Sequence, residues 1–349
     1  MAGAKRAALR ALIRDFATLL FYPTVLIIFM RSAELKGVSS LVNKTCVWCN
    51  FGDLRSSDCF ENWTYLYEWS RLLCPNPLWF FVFGTFITHF SVFWLYNAVL
   101  AVIDMGTGPF SKFFLKYKVQ HEVNVPLNPK KFWKGVRLVV FNQTVVMIPL
   151  SIFAYPMFAR SVDAEIPNLD TAFLQLAIFV ICEEVTFYYG HRLMHSKAMY
   201  KKFHKIHHEW QAPIGLVALY AHPLEHVTSN LFPAFVGPMI CGSHLGFVWI
   251  WYTFGIITTI NTHCGYHFPC AFSPRAHDYH HEKFNEVFGV MGWLDTFHGT
   301  NKTWLESESY KSHEQYFTIE PPFEVGGKKK KGEGGGGVVK NTKLKSKKI

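Results

Sequence analysis

The chain has 349 residues, half of them hydrophobic, with 33 phenylalanines and a formal net charge of +10, and its mean hydropathy is positive, at +0.11. That composition excludes an ordinary soluble domain and points to a protein built in a bilayer. The positive charge is not a nucleic-acid signature, because the basic residues fall in the N-terminal segment, between apolar spans and in the tail rather than interleaved with aromatics.

In chain order, residues 16–30 form a first apolar span behind Lys5, Arg6, Arg10 and Arg14, with Pro23 as a candidate kink. No clear small-residue cleavage site follows Met30, so the span reads as a retained signal-anchor. Residues 32–76 are more polar and hold Cys46, Cys49, Cys59 and Cys74 together with sequons at Asn43 and Asn62, a pattern expected of an oxidising lumen. Cys46 and Cys49 have zinc-type spacing, but no second close pair completes a four-ligand set. The next span, 77–103, leads into a loop carrying Lys112, Lys116, Lys118, Lys130, Lys131, Lys134 and Arg137. The positive-inside rule puts this loop and the N-terminus on the cytosolic side. Spans at 138–158 and 171–190 enclose a short connection and return the chain to the cytosol at His191. The apolar run 227–262, interrupted by Pro233, Gly237, Pro238 and Gly242, reads as a helical hairpin that returns to the side it entered from. From 321 the composition turns to glycine and lysine and predicts a disordered tail. Its end, Lys345-Ser-Lys-Lys-Ile349, has the form of a dilysine retrieval signal and equally that of a solvated basic tail. The expected organisation is an anchor and lumenal loop over 1–76, a transmembrane region over 77–170, a catalytic domain over 171–320 and the tail over 321–349.

Ten of the 17 histidines fall into two copies of one arrangement. The first is His191-x3-His195 followed by His204-x2-His207-His208; the second is His263-x3-His267 followed by His277-x2-His280-His281. Positions i, i+3 and i+4 share a helix face, so each cluster can aim two or three imidazoles at one point. Ten imidazoles exceed what one zinc takes, and two metals with about five ligands each fit the count. Imidazole suits iron, zinc, copper and nickel alike, so ligand type does not choose among them. The setting favours a redox metal, since an apolar wall beside a dinuclear centre suits attack on an unactivated C–H bond of a lipid. Topology brings both copies to one side of the membrane, as a single dinuclear site requires. His89, His121, His244, His298 and His313 stand outside the pattern and read as packed or snorkelling residues.

Around this set, Glu184 lies on the helical face of His191 and His195, and a carboxylate in an apolar span is expected to be paired or functional. It is expected to orient a histidine by accepting the other ring N–H. Glu183 points elsewhere and reads equally as a partner for a basic neighbour. In the stretch Ala221 to His226, His222 and Glu225 are further candidates to line the site.

The order His-x3-His, His-x2-His-His, repeated once, resembles the fatty acid hydroxylase and sterol desaturase superfamily of integral-membrane di-iron monooxygenases. Tyr200-Lys-Lys-Phe-His-Lys-Ile-His-His-Glu-Trp-Gln-Ala-Pro213, Tyr220-Ala-His-Pro-Leu-Glu-His226, His263-Cys-Gly-Tyr-His-Phe-Pro269 and His277 to His281 look like the branch related to C4-methylsterol monooxygenase. The resemblance covers residues 170–320. It implies two iron ions, molecular oxygen, electrons from NAD(P)H through cytochrome b5, and residence in the endoplasmic reticulum. No His-Pro-Gly-Gly motif of a fused cytochrome b5 domain occurs, so the donor and its reductase are expected to be separate proteins. At the position of His267 the C4-methylsterol monooxygenases resemble His-Ser-Gly-Tyr-Asp, which makes His267 the first ligand to question. The expectation is an all-α integral membrane enzyme with four to six apolar helical segments and a cytosolic histidine-rich di-metal cap. Its expected reaction is hydroxylation of a lipid, taken to be a sterol C4-methyl group. The rivals are a fatty-acyl or sphingolipid hydroxylase and a non-catalytic membrane regulator that keeps the metal site.

Overall fold

The computed structural model describes residues 59–106, 108–120 and 123–321, with side chains from residue 66 onward. The expected signal-anchor, Asn43, Cys46, Cys49, His121 and the tail from 322 lie outside the described residues, as do the side chains of Cys59 and Asn62. The longer helices are α1 (Cys59–Leu73), α2 (Pro77–Asp104), α3 (Pro129–Phe141), α4 (Met147–Phe158), α5 (Leu169–Met194), α6 (Phe232–Cys241), α7 (Leu245–His263) and α8 (Arg275–Lys283). Among the described residues no strand forms, and the only β pairing is a single bridge between Lys118 and Tyr266.

Each of the three long spans starts at an asparagine whose side chain takes an otherwise unpaired N–H of the first turn. Asn76 accepts from Trp79, Asn128 from Lys131 and Asn168 from Thr171. In the first two a proline follows at once, where its missing N–H costs nothing and its fixed φ suits the helix. Helices α3 and α4 join through a π-helical turn, Asn142–Val146, into one run of 34 residues from Pro129 to Val162. A second π turn, His226–Leu231, leads into α6. Both precede a proline, Pro149 or Pro233, which cannot donate to the turn before it, and the widened turn accommodates that lost bond.

Pro77–Asp104, Pro129–Val162 and Leu169–Met194 are long and apolar enough to cross a membrane, yet only about a third of their most apolar stretches is buried within the protein. The remainder, including Phe83, Ile87, Leu95, Val145, Phe153, Leu174 and Ile181, faces outward as an apolar belt, the surface a bilayer would cover. The second span begins nine residues before the expected 138. Its first turns carry the basic residues read as loop: Lys134 pairs with Glu209 at 2.7 Å and Lys131 lies 3.8 Å from the centre of the Trp210 ring.

Helices α6 and α7 form the expected hairpin and pack on α5 and α2. Gly237 is required by the first contact, because a Cβ there would stand 2.6 Å from the Cα of Phe179, and small residues permit such close approach of helices. One apolar core joins α1, the first half of α2, α5 and the α6–α7 hairpin around Phe81, Phe158, Phe179 and Trp251. A second joins the last half of α2, α3 and the last half of α7 around Phe93, Leu100, Tyr220 and Ile260. The histidine-rich segments cap the bundle at the end of the second core, where α5 and α7 finish.

Candidate metal centre

The structure gathers nine of the ten histidines into two groups. His191, His195, His204, His208 and His280 form one; His207, His263, His277 and His281 form the other, and within each the donor nitrogens lie within 4.8 Å of one another. The copies seen in the sequence are therefore interleaved. Each His-x2-His-His stretch keeps its first and third histidines in one group and sends the middle one across: His207 joins the second group and His280 the first. On α8, His277 and His281 at i and i+4 lie closest together around the helix, and His280, about 100° around from His281, turns to the other group.

The rings are held by their outer nitrogens. Nδ1 of His191 meets the carbonyl of Phe288 at 2.8 Å, that of His280 the carbonyl of Glu286 at 2.8 Å, and that of His281 the carbonyl of Trp210 at 3.0 Å. Nδ1 of His207 meets the carbonyl of Tyr220 at 3.2 Å and that of His263 the carbonyl of Thr259 at 2.8 Å. A carbonyl only accepts, so Nδ1 carries the proton in each case and Nε2 is left as a bare lone pair. These five Nε2 atoms turn inward. His207 and His263 make the point sharply, since their Nε2 atoms face each other at 3.4 Å and neither has a proton to share. Only a cation reconciles two such lone pairs, and nitrogens about 2.1 Å from one ion can stand that close. Other inward pairs stand closer still: 2.8 Å between His204 and His195, 3.1 Å between His195 and His280, 2.8 Å between His277 and His263, and 3.2 Å between His281 and His277.

Electrostatics agree with donors kept neutral. Burial, reinforced by neighbouring imidazoles, lowers the His195 pKa to about 2 and holds His204, His207, His277, His280 and His281 well below the ordinary imidazole value. The donor sets are entirely imidazole, a chemistry that suits iron, zinc, copper or nickel.

His267 does not join either group. Helix α7 ends at His263, Gly265 turns with φ +72°, and Tyr266 pairs with Lys118. The i+4 relation that would have stacked His267 over His263 is thereby broken. Its ring instead accepts from Nε of Arg275 at 3.3 Å, and its backbone bonds Tyr117 and Tyr316. Glu184 also departs from expectation, since it accepts from backbone N–H groups rather than from a histidine. It accepts from Val290 at 2.8 Å and Met291 at 2.7 Å. It anchors the loop that presents the Phe288 carbonyl to His191, and so acts on that ring at one remove. Glu225, a candidate only to line the site, takes Nδ1 of His204 at 2.6 Å; burial pushes its carboxyl well above the usual range. His222 caps its own turn through the N–H of Leu224 at 3.1 Å and packs on Phe203.

Sequence reading missed Asp295, which holds the N–H groups of Phe288 and Gly289 at 2.9 and 2.7 Å and braces the loop from the side opposite Glu184. It also missed Asp278, buried inside the second His-x2-His-His and bonded to Gln120, with its pKa raised to about 7 by burial. The signal was present for Asp278, an acid flanked by two ligand candidates; for Asp295 it was not, since its partners are backbone atoms distant from the histidines in sequence. Of the histidines left outside the pattern, His89 bonds Gln143, His244 caps α7, His298 stacks on Tyr188 and His313 bonds Ser273.

A cavity of about 280 Å³ runs from the bundle interior to both histidine groups, lined by Phe93, Met147, Phe187, Phe254 and Ile256 and ending at His191, His204, His207, His263 and His277. Glu183 lines it as well. Two all-imidazole donor sets opening onto a largely apolar cavity inside a membrane bundle are, with a redox metal bound, suited to oxidising a lipid.

The fatty acid hydroxylase family model matches residues 176–300, the segment holding every histidine of both groups. Fatty acid hydroxylase domain-containing protein 2 of Macaca fascicularis is 44% identical over 252 residues, 70% of this chain and 75% of that protein. The chain belongs to the fatty acid hydroxylase family. Methylsterol monooxygenase 2-2 of Arabidopsis thaliana is 32% identical over 249 residues, 66% of this chain and 89% of that protein. A very-long-chain aldehyde decarbonylase of Oryza sativa subsp. indica is 33% identical over 251 residues, with the same coverage. No solved structure gives a significant match. Where described, the chain is all-helical, with three helices long and apolar enough to cross a membrane, and the names of two of its relatives are those of lipid-modifying enzymes.

Proposed function

We propose that this fatty acid hydroxylase family member is a membrane di-iron monooxygenase that hydroxylates a lipid, with a sterol methyl group at C4 as the preferred substrate. The observation that carries the reading is the facing pair of proton-free Nε2 atoms on His207 and His263 at the end of an apolar cavity. His191, His195, His204, His208 and His280 would hold one ion, and His207, His263, His277 and His281 the other. Iron at these positions supplies the reduction of dioxygen and the oxidation of a C–H bond. The reaction balances as R–H + O2 + 2 e⁻ + 2 H⁺ → R–OH + H2O, with the electrons drawn from NAD(P)H through a separate cytochrome b5 and its reductase. The chain's own part is to hold the ligand nitrogens bare, through five backbone carbonyls and Glu225, and to keep water from the target carbon with Phe93, Phe187 and Phe254. The sterol assignment takes support from the methylsterol monooxygenase relative, and residence in the endoplasmic reticulum with a cytosolic site belongs to the same reading.

Cells lacking the protein, complemented with wild type or with His207→Ala, test it by lipid profiling. Accumulated 4-methylsterols cleared by wild type and not by the variant are expected. A deficit of hydroxylated acyl chains in their place would move the substrate to a fatty-acyl or sphingolipid chain. Full rescue by His207→Ala would leave a non-catalytic membrane regulator.

A further inference from the structure

The cavity that reaches the histidines is not lined by hydrocarbon alone. Glu225 uses Oε1 on Nδ1 of His204, at 2.6 Å, while Oε2 is buried with no hydrogen-bond partner. Four residues on along the same helical run, Ser229 lines the cavity too, 4% exposed, and its hydroxyl also lacks a partner. On the α7 wall, Thr258 and Tyr252 line the cavity with buried, unpartnered hydroxyls of their own. A buried polar atom without a partner is a defect in an ordinary core and is explained when a ligand completes it. An unfunctionalised acyl chain would leave all four atoms bare, and desolvated polar groups are the strongest means a pocket has of rejecting a ligand that cannot pair with them.

We infer that Glu225 Oε2 and Ser229 Oγ form a recognition subsite for a hydroxyl group of the lipid, next to the metal ligand His204. The inference rests on the proposed lipid-oxidising function and narrows its substrate class to lipids that bear a hydroxyl near the carbon to be oxidised. Glu225 accepts the hydroxyl proton, and Ser229 donates to the hydroxyl oxygen. The carboxylate of Glu225 is itself held by His204 through Oε1, so the alcohol is placed relative to the histidines rather than merely bound.

The test reads binding without turnover, using the purified full-length protein in lipid nanodiscs. Its probes are a 3-hydroxysterol against its 3-deoxy counterpart, and a long-chain alcohol against the alkane of equal length. Wild type is expected to bind the hydroxylated member of at least one pair roughly tenfold more tightly. The pair that shows the preference identifies a sterol or an acyl source. Ser229→Ala is expected to remove most of that preference while binding the deoxy or alkane probe as before and keeping its metal content, with Ser229→Thr restoring it. Equal binding of both members of both pairs by wild type overturns the inference, as does a Ser229→Ala loss that falls equally on hydroxylated and bare probes. Because these readouts need no catalysis, absence of product from every lipid would count against the oxygenase reading alone.

Discussion

His263 and His267 sit four residues apart in one motif and end in different chemistries. His263 closes α7 with Nδ1 tied to the Thr259 carbonyl and Nε2 turned to its group. His267, past the Gly265 turn, is an acceptor for Arg275. Replacing His263 with alanine is therefore expected to cost the protein about one of two bound metals, whereas His267→Asp, which keeps an acceptor for Arg275, is expected to leave the metal ratio unchanged. Metal analysis of the purified variants decides between them, and loss of metal in His267→Asp would restore His267 as a ligand. At this scale the sequence was informative about residue type and spacing, which picked out ten rings, nine of which converge. It could not show the exchange of His207 and His280 between groups, because that depends on how α8 and the 204–209 turn meet across the site. Nor could it show the Gly265 turn, since His-x3-His looks the same whether or not the helix continues.

The elements that end at the site are held by a loop rather than by one another. Between Val287 and Trp293 the chain has no helix of its own, yet it supplies the Phe288 carbonyl that sets the proton on His191. Glu184 on α5 and Asp295 hold four of its N–H groups between them. Gly289 fits there because a Cβ would meet both carboxylates, at 2.7 and 2.9 Å. Glu184→Ala strands the buried amide of Met291, at a cost of about 1–3 kcal/mol, and frees the part-buried amide of Val290. Faster hydrogen exchange at those two amides is expected, together with roughly 10- to 100-fold weaker metal binding, the size of effect seen when the outer partner of a ligating ring is lost. Unchanged exchange at Val290 and Met291 would mean that the loop is held by other means. Two of the long helices start close to where the apolar spans were read, at 77 and 171, just after the capping Asn76 and Asn168. The expected second span began too late because its first turns are basic, and a hydropathy reading assigns Lys130, Lys131 and Lys134 to a loop. On α3, Lys131 and Lys134 are held by tertiary partners, Trp210 and Glu209.

Across the whole molecule, charge and histidines share one end of the bundle. Lys118 is buried against Asp104 at the close of α2, and the hydroxyl of Tyr266, just past α7, bonds the same carboxylate at 2.7 Å. Lys131 and Lys134 reach the residues that follow the first His-x2-His-His. The basic loop that the positive-inside rule assigns to the cytosol is thus fastened to both histidine-bearing segments, and the orientation of one dictates the other. Cys270 gives a direct readout, because it is exposed and lies between Tyr266 and α8 at this end. In sealed microsomes with their cytosolic face outward, a membrane-impermeant maleimide is expected to label Cys270 without detergent, as read by mass spectrometry of its peptide. Labelling that appears only after permeabilisation would place the histidine cap in the lumen. That outcome would also remove cytosolic electron donors from consideration, since a donor must dock on the face where the metal ligands lie.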